Sequence, residues 1–111
     1  MDLPKVNVYA RLFDFYTPLL TKRQQQVFNL YYFQDFSLGE ISQELNISRQ
    51  AVFDLIKRTE KVLENYEQKL QLLEKYQQDH KIIQTIRKII ENSQLQREDQ
   101  GHILKLLDEM L

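Results

Sequence analysis

Arg49, Gln50, Lys57 and Arg58 are the side chains best suited to do chemistry in this 111-residue chain, and that chemistry is recognition. An arginine can grip a guanine edge with two parallel hydrogen bonds, and a glutamine can read adenine the same way. Lysine and arginine two turns further along a helix suit phosphate oxygens, which position a protein without reading sequence. Ser48 directly precedes Arg49 and can donate to the same class of acceptor. Lys22 and Arg23 form a second basic pair at the expected start of another helix, where the backbone dipole favours anions.

Bond-making chemistry finds no comparable set. Cysteine is absent, which excludes disulfides and thiolate metal sites. His80 and His102 are far apart and have no cysteine partners, so a metal site is not expected. Glu40 and Glu44 share a helical face, but Glu40 is accounted for by capping. No nucleophile or glycine-rich phosphate loop accompanies the pair. The reading is therefore a protein without catalytic residue, metal or cofactor, not an enzyme.

The elements that carry these residues read as helices throughout. Hydrophobic residues make up 42% of the chain and charged residues 28%, with two glycines and two prolines, and Leu, Gln, Glu, Lys and Ile dominate. Tyr9, Leu12, Phe13, Tyr16, Leu19 and Leu20 recur at steps of three and four, the stripe of an amphipathic helix. Pro18 ends or kinks that helix near Thr17. Thr21 with Gln24, and Ser37 with Glu40, form two capping-box patterns that open the second and third helices. Val27, Phe28, Leu30, Tyr31 and Tyr32 supply the buried face of the second. Nine of the twelve aromatic residues fall between residues 9 and 36, which places the densest core in the N-terminal half.

Leu38, Ile41 and Leu45 face inward on the third helix. Asn46 follows and tolerates the left-handed conformation that stops a helix. Ser48 then caps a fourth helix, which meets no glycine or proline until Gly101 and is expected to run far. Ser42 is small where two helices would cross, and Ile47, Val52 and Leu55 form the wedge between them. Together these spacings specify a helix-turn-helix over residues 37–58. Phe53, on the same helix, is expected to pack against the N-terminal helix or a partner.

Residues 21–58 resemble region 4 of bacterial sigma factors. Over essentially its full length, notably in Tyr31-Tyr-Phe-Gln-Asp-Phe-Ser-Leu-Gly-Glu-Ile-Ser42, the chain is similar to the YlxM-like helix-turn-helix proteins of Gram-positive bacteria. That resemblance implies an accessory or regulatory role in the signal recognition particle pathway. Its partners would be DNA, the particle's RNA, or the ribonucleoprotein and its GTPase. Docking of the sigma type would set Ser48, Arg49 and Gln50 into a major groove, with Lys57, Arg58, Lys22 and Arg23 on phosphates. Phe53 and Asp54 depart from a groove-reading pattern, and the net charge is −1, which is no strong attraction for nucleic acid. A protein–protein adaptor that no longer reads DNA, and a plain transcriptional regulator, are the alternative readings.

The expected fold class is all-α, with a sigma region 4-like domain over 1–61 and a helical extension over 62–111. Val52, Ile56, Leu63, Tyr66, Leu70 and Leu73 follow alternating steps of four and three, a heptad seam. The seam would join two copies in a dimer, or pack on the C-terminal helices of the same chain. Ile82, Ile83, Ile86, Ile89 and Ile90 repeat the pattern after a polar break around Gln77–Lys81. Ile103, Leu104, Leu107, Met110 and Leu111 mark a last amphipathic helix. Residues 1–5 lack the pattern of a signal peptide, and no apolar run is long enough to span a bilayer, so a cytoplasmic location is expected.

Overall fold

A computed structural model describes residues 5–110, with side chains from Val8 onward. Leu111 and the start of the N-terminal segment read for a leader lie outside the described residues. Within them the protein is all-α: α1 (Lys5–Tyr16), a single 3₁₀ turn (Thr17–Leu19), α2 (Lys22–Tyr32), α3 (Leu38–Leu45), α4 (Arg49–Leu70), α5 (Leu72–Glu91) and α6 (Arg97–Glu109). Two compact units divide the chain, residues 1–71 and 72–111. This boundary falls ten residues later than the sequence places it, because α4 packs within the first unit well past residue 61.

The local signals for helix ends act as chemistry dictates. Pro18 sits in the 3₁₀ turn that closes α1. Thr21–Gln24 and Ser37–Glu40 each form a complete capping box, satisfying two amides that a helix start would leave bare. Asn46 takes up the left-handed conformation (φ 54°) after α3, and Ser48 accepts from the Ala51 amide at 3.0 Å to open α4.

α4 is the spine of the first unit. Val52 and Ile56 pack with Val27 of α2 and Ile41 of α3, and Ile47, Leu55, Leu38, Leu45 and Phe36 close around them. Farther along, Thr59 and Leu63 are buried, and Tyr66 stacks on Tyr16 of α1 with centroids 5.8 Å apart. The proposed dimer seam is thereby corrected. Val52, Ile56 and Leu63 are at most 4% exposed inside a single chain and have no surface left for a second copy. Their cover comes from α1, α2 and α3. Leu70 is exposed, and Leu73 belongs to α5.

The uninterrupted long helix is a second correction. Gln71 adopts φ 53° and its amide bonds the Glu67 carbonyl at 2.9 Å, so α4 stops there without glycine or proline. The polar stretch Gln77–Lys81 interrupts the apolar pattern without ending a helix; it lies inside α5. In the second unit, α5 and α6 form a hairpin around Ile83, Ile90 and Leu107, with Ile103 and Leu104 against them. Ser93 donates to the Ile90 carbonyl (2.6 Å) in the connecting turn, and Arg87 bonds Asp108 across the hairpin.

Candidate nucleic-acid interface

Burying Val52, Ile56, Thr59 and Leu63 dictates what α4 shows to solvent. At about 100° per residue, the opposite face carries Gln50, Asp54, Lys57, Arg58 and Lys61, Phe53 lies at its edge, and Arg49, in the first turn, shares the phase of the buried stripe. All seven are exposed. Lys57, Arg58 and Lys61 thus line up along the outer side of the helix-turn-helix with the carboxylate of Asp54 among them, and Arg49 stands at the helix start. Lys61 was missing from the sequence-derived set, although its spacing of four from Lys57 places it on the same face. Leu38, at the start of α3, joins Arg49, Gln50 and Phe53 around a shallow open depression beside the start of α4. Its contribution needed the tertiary fold, because α3 and α4 meet there across the turn.

Several of these groups are held in place. Gln50 Nε2 donates to Asp54 Oδ1 at 3.0 Å, which orients the amide along the helix. Lys57 Nζ lies 3.4 Å from Glu60 Oε1 and 5.6 Å from the centroid of the Phe53 ring, within cation–π range. Phe53 is 42% exposed and does not bury against the N-terminal helix, one of the two positions expected for it. Its ring is partly screened by the lysine chain, which snorkels over it. Ser48 is occupied on its acceptor side by the Ala51 amide and retains its hydroxyl proton for donation.

Lys22 and Arg23 are exposed but lie elsewhere. The Tyr66 hydroxyl donates to the Leu19 carbonyl at 3.2 Å, which sets the start of α2 beside Tyr66. At a rise of ~1.5 Å per residue, that is ~25 Å along α4 from Arg49. The structure therefore gathers Ser48, Arg49, Gln50, Phe53, Lys57 and Arg58, and keeps the Lys22–Arg23 pair apart from them.

The face is held rigid by a feature the sequence did not reveal. Three tyrosines of α1 and α2 donate to three glutamates spaced along α4: Tyr32 to Glu60, Tyr9 to Glu64 and Tyr16 to Glu67, the last at 2.6 Å. Glu60 is 9% exposed, so its carboxylate depends on these partners in place of water. The hydrogen bond to Glu64, aided by burial and the nearby carboxylate charges, pushes the Tyr9 hydroxyl up to about 12. Burial first, then the bond to Glu60, raises Tyr32 well above the ordinary tyrosine range. No periodicity rule marks such pairs, since they join residues 28 to 55 positions apart.

A family model described as "Putative helix-turn-helix protein, YlxM / p13 like" (UPF0122) matches residues 3–103. The chain belongs to this family. Among curated relatives, a UPF0122 protein of Exiguobacterium sp. is 50% identical over 91 residues, covering 82% of this chain and 85% of the relative. One from Bacillus licheniformis is 53% identical over 89 residues, 80% of this chain and 83% of its own length. One from Bacillus cereus is 42% identical over 108 residues, 97% and 98% of the two chains. Membership in a helix-turn-helix family agrees with the α3–turn–α4 geometry. Among the described residues, no helix is long and apolar enough to cross a membrane, and no group of three or more possible metal-binding side chains is assembled.

Proposed function

We propose that this protein is a nucleic-acid-binding accessory factor of the signal recognition particle pathway, working in the cytoplasm by occupancy and not by catalysis. The observation that supports it is the alignment of Lys57, Arg58 and Lys61 on the solvent face of α4, opposite the buried Val52–Leu63 stripe, with exposed Arg49 and Gln50 at the start of the same helix. Arg58 and Lys61 suit phosphates, and Arg49 and Gln50 at the helix start suit base edges. The pathway assignment follows from the YlxM-like family resemblance and makes the particle's RNA the first ligand to try, with duplex DNA beside it. Few phosphate contacts are available, so binding should be modest at physiological salt.

A salt titration of binding to each nucleic acid tests the reading. Arg58→Ala should weaken binding and lower the salt slope by about 1, the signature of one lost phosphate contact. Arg49→Ala should weaken binding and relax any sequence preference. Affinity unchanged in both variants would remove α4 as the interface. Tighter binding to duplex DNA than to the particle's RNA would favour a plain transcriptional regulator.

One observation favours a second reading, a protein–protein adaptor. Phe53 and Leu38 bring apolar surface to the same depression, while Gln50 and Lys57 are engaged with Asp54 and Glu60. Phe53→Asp should abolish capture of a protein such as the particle GTPase and leave nucleic-acid affinity nearly unchanged. If it abolishes nucleic-acid binding instead, Phe53 is part of the nucleic-acid surface.

A further inference from the structure

The aromatic rings of the first unit are mostly accounted for by one another. Phe13 stacks on Phe28 and Tyr16 on Tyr66, with centroids 5.2 and 5.8 Å apart. Exposed Phe33 and Tyr31 still rest on Phe13 and Tyr32, and Phe36 packs into the core around Val27 and Ile41. Phe53 differs. It is 42% exposed, no aromatic ring among the described residues packs on it, and the Lys57 ammonium lies beside it. A single exposed apolar side chain is ordinary, so what matters is the company this ring keeps.

That company is a flat apolar surface with polar groups at its edge. Phe53 and half-buried Leu38 share the depression with Arg49 and Gln50, and its volume of about 530 Å³ is on the scale of a site for one small planar group. At about 100° per residue, Arg49, Phe53, Lys57 and Gln50 fall within an arc of about 100° on α4. Arg49 forms no ion pair among the described residues and keeps its donors. Gln50 gives one N–H to Asp54 and retains a second N–H and its carbonyl oxygen. The carboxylates nearby are already engaged: Asp54 accepts from Gln50, Glu60 pairs with Lys57, and Glu40 accepts from the Ser37 amide at 3.0 Å.

We infer that this depression takes one unpaired nucleobase of an RNA strand, its face on Phe53 and Leu38 and its edge on Gln50 and Arg49. The inference rests on the nucleic-acid reading above and narrows it from a helix in a groove to a single splayed base. A duplex hides the faces of its bases and offers edges alone, and the major groove of duplex RNA is too narrow for side chains to read. A phenyl ring finds a flat partner only where a base is unstacked, and such stacking tolerates any base because each has a π-face. An apolar protein side chain in the same place would cover the ring but strip water from Arg49 and Gln50 without bonding them. Lys57, Arg58 and Lys61 continue along α4, where they suit the phosphates of the same strand.

Fluorescence anisotropy on the full chain tests this with three labelled probes: an RNA hairpin with an unpaired adenine-rich loop, its stem as a plain RNA duplex, and the loop sequence as single-stranded DNA. The hairpin should bind most tightly. Phe53→Leu keeps an apolar side chain but loses the flat ring; it should weaken hairpin binding about tenfold and lower the hairpin-to-duplex affinity ratio. Phe53→Trp should match or exceed the parent. Aminopurine placed in the loop should lose fluorescence on binding the parent, a readout that needs no variant. Unchanged aminopurine fluorescence, or equal hairpin affinity for the parent and a folded Phe53→Leu, would overturn the inference, leave the basic face of α4 standing and give the depression to a protein contact. Equal parent affinity for hairpin and duplex would overturn it as well. Tighter binding of the DNA strand would overturn the assignment to RNA. No binding of any probe by the parent would overturn the nucleic-acid reading and this inference together.

Discussion

Removing a single oxygen from Tyr32 isolates the bond that ties α2 to α4. Tyr32→Phe leaves the ring in place against Phe28, whose centroid is 4.3 Å away, so packing is retained. What disappears is the hydroxyl that donates to Glu60, a carboxylate only 9% exposed. Hydrogen bonds to charged groups contribute about 1.5–3 kcal/mol, and a buried acceptor left short of a donor keeps its full desolvation cost. Lys57 stays 3.4 Å from Glu60, but its side chain is 59% exposed, so its pairing offsets at most about 1 kcal/mol. The expected loss is therefore about 2 kcal/mol, which for a unit of this size lowers Tm by roughly 8–16 °C. Urea denaturation followed by near-ultraviolet tyrosine dichroism reads it, since five of the six tyrosines lie in residues 1–71. Tyr31→Phe is the control. Its neighbouring ring is more exposed, and removing its hydroxyl should change stability by less than about 0.5 kcal/mol. If Tyr32→Phe matches that control, the bond to Glu60 does not hold α2 on α4 and the reasoning fails.

Alkaline pH should act on the same tyrosines. Tyr9 keeps its proton to about pH 12 when folded, and an unfolded tyrosine releases it near 10. The folded state binds the extra proton between those values. The contribution is complete below pH ~10 and declines as pH rises toward 12, which denaturant midpoints across that range would register. Leu63→Ala should cost about 2–5 kcal/mol because Leu63 is fully buried, whereas exposed Leu70→Ala should stay within about 0.5 kcal/mol. Equal effects in denaturation midpoints would contradict an intramolecular role for the seam. At the turn, Asn46→Gly should be tolerated and Asn46→Val should lose about 1–2 kcal/mol, since φ is 54° there. Similar denaturation curves for both variants would mean that the left-handed turn is not required.

Much of the fold was legible because its signals are local. A capping box is satisfied by atoms three residues apart, so Thr21–Gln24 and Ser37–Glu40 could be read directly from spacing, as could Asn46 and Ser48 at the turn. The basic face of α4 followed from helical phase once Val52 and Ile56 were seen to be apolar. What covers that apolar stripe was not legible, because a heptad records only that a helix has a partner. The cover proved to be α1, α2 and α3. The end of α4 was equally obscure, since Gln71 is an ordinary helix former placed in a left-handed conformation. A hint did exist: on an unbroken helix, at about 100° per residue, Ile83 and Ile90 would point nearly opposite to Val52 and Leu63.

The sequence by itself determined where α2, α3 and α4 begin, the helix-turn-helix, and the row of cations on α4, since each depends on neighbours within a turn or two of the chain. Tertiary structure decided the rest: that the heptad serves one chain, that Lys22 and Arg23 stand apart from Arg49, and that tyrosines clamp three glutamates, Glu60 among them buried, across the helices. Those outcomes depend on which distant faces meet, and spacing along one helix carries no record of its neighbour.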